Sequence, residues 1–268
     1  MTEGTVSPAA PSTNNPGFLA MVWGVLAKPR ITFATLRHGS SRAWIILAIL
    51  GMILVTLPII ASGPITTQQT RDQLEEQFQN QPGFEDSGVD VEQAASFATS
   101  PILTTVVPAV FAAIGRVLSW LLWAGALYLL ASMVGGNSTF LQVFQVVIWA
   151  WLPYMLRAVL QAVYITATQT LITNPGLSGF ASVPTPDPSD PFGTLPTTGE
   201  AILQAFLGQI DIYLFWNLAL LTIGITAVTK LSWRKSFGLV LIVWVVFMAV
   251  RLIFTAVSTN LASGFVGA

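Results

Sequence analysis

The sequence predicts an all-α, polytopic membrane protein: a bundle of five transmembrane helices with a short N-terminal interfacial helix. Three observations carry that prediction. Of the 268 residues, 53% are hydrophobic and only 9% are charged, against about 25% charged in soluble domains. The stretch Ile102 to Ile172 holds two long apolar runs separated only by Gly135-Gly136-Asn137-Ser138-Thr139, and each run exceeds the roughly 20 residues that cross a bilayer. The charges, finally, are segregated rather than mixed.

The N-terminal segment 1–17 is polar and rich in Pro, Ser and Thr. It has little to bury and reads as a disordered tail, without the basic and then apolar order of a signal peptide. The membrane domain is expected over 18–268. Phe18 to Ala27 is apolar but too short to span; it either lies at the interface with Trp23 near the headgroups or packs under the bundle. Ile31 to Arg42 reads as a basic connector with Arg37, His38 and Arg42.

The first span is placed at about 44–61, with Pro58 bending it and Gly63-Pro64 ending it. An acidic outer loop (62–101) follows, containing one solvated helix stopped by Pro82-Gly83. The second span covers about 102–134 and the third about 140–172, kinked at Pro153. A second outer loop (173–210) carries Pro175, Pro184, Pro186, Pro188, Pro191 and Pro196, too many for regular structure. The fourth span is expected at about 211–228, with Ala201 to Ile210 as a possible early start. Lys230 to Lys235 forms a basic turn, and the fifth span covers about 236–259.

Five spans place the termini on opposite sides, and the charges agree. Lys28, Arg30, Arg37, Arg42, Lys230, Arg234 and Lys235 fall on one side; the other has Arg71 and eleven acids between Asp72 and Asp211. Positive-inside asymmetry predicts a cell (cytoplasmic) membrane protein with its N-terminus in the cytoplasm and its C-terminus outside.

Arg116, Arg157 and Arg251 are the remaining basic residues. Counting about 1.5 Å per residue from the cytoplasmic helix ends puts them about 27, 26 and 22 Å up, in the outer part of a core about 30 Å thick. Three helices thus bring a guanidinium to one level, where Asp211 opens the fourth span. The arginines either snorkel or pair with acidic loops, or they form a basic pocket for a lipid phosphate or another anion. Tyr154, Arg157 and Gln161 share a helix face that lines such a pocket or serves as a polar seam. Gln142, Gln145 and Asn217 read as interhelical hydrogen-bond partners. Ala131 and Gly135 allow close packing. Trp44 and Trp233 suit the interface, while Trp120, Trp149 and Trp216 suit the bundle interior.

No cysteine is present and the one histidine is His38, so no Cys or multi-His metal site is expected. No cofactor is expected either. No nucleophile elbow, zinc-protease, P-loop or dinucleotide motif occurs, and the spans hold no mid-membrane carboxylate. An enzyme and a proton-coupled carrier are disfavoured.

The sequence resembles the bacterial branch of the Yip1 domain family in AKPRITF (27–33), GGNSTF (135–140), WLPYML (151–156), WNLALLTIG (216–224) and KLSWRKS (230–236). The resemblance runs from about residue 18 onward and omits the two outer loops. It implies a helical integral membrane protein with a cytoplasmic N-terminus. Eukaryotic members look like trafficking factors that engage Rab-type GTPases and assemble with relatives. Their Asp-Leu-Tyr-Gly-Pro-like segment has no counterpart here, so no binding residue is carried over. Two functions follow as expectations. One is a non-catalytic membrane scaffold or trafficking and assembly factor. The other is a transport or lipid-handling protein using the outer arginines. The expected partners are membrane lipids and a membrane-protein partner or a second copy of the chain, with no nucleic acid.

Overall fold

The structure, a computed structural model, describes residues 17–37, 42–80, 91–181 and 197–266. The tail before Gly17, His38, Pro82-Gly83 and five of the loop prolines (184–196) lie outside the described residues. Within them, five helices are long and apolar enough to cross a membrane, namely Ala43–Glu76, Ala95–Met133, Phe140–Thr168, Ile212–Thr229 and Trp233–Leu261. The protein is an all-α membrane bundle, as its composition predicts.

Helix α1 (Phe18–Ala27) buries Met21 and Val25 and turns Leu19 and Trp23 outward. It does both things its sequence allows, packing by one face and exposing Trp23 on the other. Part of the expected connector is helical instead. Helix α2 (Pro29–Thr35) starts with proline at its first position, where the missing N–H costs nothing. Its Phe33 is fully buried, and a Cβ on Gly24 of α1 would lie 2.4 Å from Thr32 Oγ1. Burial of one face and this close approach hold a helix that its β-branched residues alone disfavour.

Gly63-Pro64 does not end the first span. Helix α3 runs unbroken from Ala43 to Asn80 with both Pro58 and Pro64 inside it. Ser62 and Thr66 beside Pro64 donate hydroxyl bonds to the carbonyls of Ile59 and Ser62, and membrane helices accept proline where neighbouring helices pack against it. A π-helical turn (Ile102–Val106) packs alongside. A Cβ on Gly63 would meet Thr105 Oγ1 at 2.4 Å, and the Thr67 and Thr104 hydroxyls lie 2.9 Å apart. The expected outer loop therefore begins as an extension of the span, and Val91–Ala98 within it is a further helix, α4.

Helix α5 (Val107–Met133) ends in a Schellman motif. Gly135 takes φ +88°, and the N–H groups of Gly135 and Gly136 reach the carbonyls of Ser132 and Ala131. Thr139 and Gln142 then form a capping box that starts α6 (Phe140–Ala150). Asn137 N–H donates to the Thr229 carbonyl at 3.1 Å, tying this turn to the one after the fourth span.

The third span is two helices. Pro153 has no N–H, and the helix breaks at Trp151 between α6 and α7 (Leu152–Thr168). Tyr154 N–H turns to the Trp151 carbonyl at 3.0 Å. The Ala150 carbonyl accepts instead from the buried Asn217 side chain at 2.7 Å. After α7 the chain turns through Gln169 in the left-handed region, before the expected Ile172.

Ala201 to Ile210 is not the start of the fourth span. Helix α8 (Thr198–Leu207) is separate, opened by a Thr197–Glu200 capping box. A short 3-10 turn (Gly176–Phe180) sits beside it, with Leu177 N–H bonded to the Ile210 carbonyl. Helix α9 (Ile212–Thr229) begins afresh at Asp211 and ends at Lys230 in the left-handed region. Helix α10 (Trp233–Val266) closes the bundle.

The core lies between α3, α5, α6, α9 and α10, around Trp120, Trp149, Leu127, Ile148, Leu221 and Ile225. Gly224 brings α9 against α6, where an added Cβ would lie 2.4 Å from Val146 Cγ1.

Candidate anion-binding site

The break at Trp151 sets the site. Just beyond it, Tyr154 and Arg157 on the first turns of α7 face residues of α5, α9 and α10. A cavity of about 390 Å³ opens there, lined by Arg116 of α5, Arg157 of α7 and Arg251 of α10, with Tyr154, Trp151 and Trp123 among its walls. The three arginines that helix counting places at one height face one chamber.

Their partners differ. Arg157 Nη1 lies 2.7 Å from Asp211 Oδ2, both side chains largely buried. The other carboxylate oxygen of Asp211 accepts from Leu214 N–H at 2.8 Å, so one residue caps α9 and balances one guanidinium. Arg251 meets a neutral partner. The Gln209 amide, oriented with its oxygen toward the guanidinium, accepts from Nη1 and Nη2 at 3.1 and 3.2 Å. The Arg116 guanidinium lies 5.6 Å from the Trp151 ring centroid, a cation–π contact. Among the described residues neither Arg116 nor Arg251 has a carboxylate partner.

Gln161 does not reach this chamber. It lines a second cavity of about 230 Å³ with Gly51, Val55 and Pro58 of α3, and the two cavities share Arg116, Trp151, Tyr154 and Arg157 as their common wall. A third cavity, about 380 Å³, lies under α8 and shares Gln209 and Arg251 with the first. The indole N–H groups of Trp120 and Trp151 are buried without a partner, and an indole only donates. Sequence reasoning noted Asp211 only for its height and missed Gln209, Trp123 and Trp151. The available signal was Gln209 standing two residues before Asp211 at the head of a span.

The chamber walls are rich in donors and cations, and the carboxylate nearest them, Asp211, stands behind Arg157 rather than in the lining. Three guanidinium groups against one carboxylate leave an excess of positive charge in a setting drier than water, where charge–charge attraction is stronger. Arginine presents a planar fork of N–H donors that matches phosphate and carboxylate oxygens. The arrangement suits an oxyanion. No group of three or more His, Cys, Asp or Glu that could hold a metal occurs among the described residues.

Residues 23–254 match the sequence model of the Yip1 domain family, covering α2 to α9, the first two thirds of α10 and every residue of the chamber. The chain belongs to the Yip1 domain family. No curated protein and no solved structure matches it significantly. As a Yip1 domain protein it is a multi-pass helical membrane protein, and the family match carries no assignment for the arginine chamber.

Proposed function

We propose that this Yip1 domain protein is a non-enzymatic lipid-handling protein that holds the phosphate of a lipid headgroup, or a chemically similar oxyanion, among Arg116, Arg157 and Arg251. The observation that carries the reading is the convergence of three guanidinium groups from three helices on one cavity, with Asp211 behind Arg157 as the one carboxylate paired with them among the described residues. Simple snorkelling accounts for it poorly, because Arg157 and Asp211 are largely buried and, among the described residues, neither Arg116 nor Arg251 has a carboxylate partner. Tyr154 and the tryptophans give the chamber an amphipathic lining, and Gln161 extends it on the α3 side through the second cavity.

The charge pattern supports the same orientation as before: N-terminus in the cytoplasm, C-terminus outside, and the chamber in the outer half of the cell membrane. The scaffold or trafficking reading rests on the family alone and names no surface.

The test is transfer and retention of phospholipid in proteoliposomes, comparing wild type with an Arg→Gln variant at 116, 157 and 251. Arginine-dependent retention supports lipid handling. Equal retention by a folded variant leaves the arginines as anchors and favours the scaffold, which crosslinking in native membranes would then pursue.

A further inference from the structure

At the opposite end of the bundle lies a cleft of about 370 Å³ between α2, α9 and the start of α10. Its floor is apolar: Ala34 from α2, Ile223 and Ala227 from α9, and the ring of Trp233. The one hydroxyl in it, Thr226, donates to the Thr222 carbonyl of its own helix at 2.8 Å, so it offers a ligand no free proton. At the mouth, Arg30 stacks its guanidinium 6.0 Å from the Trp233 ring centroid. Lys28, Lys230, Arg234 and Lys235 stand within two or three residues of these lining positions and are all exposed. The described residues carry no Asp or Glu at this end; the described acids lie in the outer parts of α3 and α4 and at Glu200 and Asp211.

We propose that this cleft binds an anionic phospholipid of the adjacent leaflet, with an acyl chain along Ala34, Ile223 and Ala227 and the phosphate held by Arg30. Charge complementarity selects the occupant. An apolar trough with a cationic rim and no carboxylate fits one negatively charged amphiphile better than a zwitterionic one. Trp233 acts on both parts: its ring walls the trough and its face holds the Arg30 guanidinium in place. The packing of α2 makes the cleft, because buried Phe33 and Thr32 fix α2 against the bundle and leave Arg30 and Ala34 on its free side. This site is separate from the arginine chamber and does not depend on that reading.

The experiment is lipid retention by the full chain. Protein is reconstituted with equal phosphatidylglycerol and phosphatidylcholine of matched chains, stripped stepwise with detergent, and the bound lipid is counted by native mass spectrometry. The expected result is preferential retention of phosphatidylglycerol. Arg30→Gln should cut that preference about fivefold, the weight of one basic residue near an anionic surface. Ala227→Trp, which fills the trough and keeps every charge, should remove the retained lipid while the protein stays folded by thermal denaturation. Equal retention of the two lipids by wild type overturns the proposal. So does a preference that survives Arg30→Gln and Ala227→Trp but disappears with Arg116→Gln, since it would then belong to the other chamber.

Discussion

Arg157 on α7 and Asp211 at the head of α9 meet at 2.7 Å, and the same carboxylate caps α9 through Leu214 N–H. The pair therefore joins two helices and also sets how much positive charge the chamber keeps. These two roles separate by mutation. Asp211→Asn keeps a good helix cap but frees the Arg157 guanidinium. It is expected to bind phosphate amphiphiles more tightly than wild type, and to be less stable without ligand because a largely buried guanidinium is left unpaired. Asp211→Ala removes the cap as well, and should cost about 1 kcal/mol from that alone. Thermal denaturation in detergent and ligand titration read the two effects independently.

The helix break at Trp151 depends on Asn217. Its Nδ2 fills the Ala150 carbonyl that the break leaves open, and Asn217 is buried. Asn217→Leu should leave that carbonyl bare at a cost of about 1–3 kcal/mol. Thermal unfolding of the purified protein checks this, and Arg157, one and a half turns along α7, should lose its fixed position in the chamber with it.

The α6–α9 contact rests on Gly224. A methyl there would fall on Val146, a stiff β-branched side chain. Gly224→Ala should destabilise by about 1–3 kcal/mol as an overpacked site. Adding Val146→Ala should recover much of the loss. A double mutant no more stable than Gly224→Ala would place the strain elsewhere.

Sequence periodicity and depth reach some of these features and miss others. Hydropathy and the charge pattern read the five crossing helices directly, because lipid forces long apolar runs whatever they pack against. The rise per residue gives the common height of Arg116, Arg157 and Arg251. It gives no azimuth, so it could not separate one shared chamber from three lipid-facing side chains, nor see that Gln161 looks into a different cavity. Pro153 was legible as a disturbance of the third span because it lacks an N–H, but a kink was expected where the structure has two helices, with the freed Ala150 carbonyl taken by Asn217. Pro64 was misleading: the helix continues through it where Thr105 and Thr104 of the neighbouring turn pack against Gly63 and Thr67, a tertiary contact that no proline rule contains. Helix α2 was missed for a related reason, since burial of Phe33 supplies what its residues lack in propensity. Gln209 reached the site because α8 and α9 part between Leu207 and Asp211, a turn that apolar continuity had disguised.

Arg116 is the most direct probe of the chamber's charge balance. Its guanidinium lies against the Trp151 face and has no carboxylate partner among the described residues, so removing its charge breaks no ion pair there. The measurement is titration of the reconstituted protein with a phosphate-bearing amphiphile, followed by fluorescence of the chamber tryptophans, for wild type, Arg116→Gln and Asp211→Asn. Binding is expected to be saturable in wild type, weaker by about tenfold or more in Arg116→Gln as a charged hydrogen bond is lost, and tighter in Asp211→Asn. No saturable change in wild type, or the same affinity in all three folded proteins, would contradict an anion-binding role for the chamber.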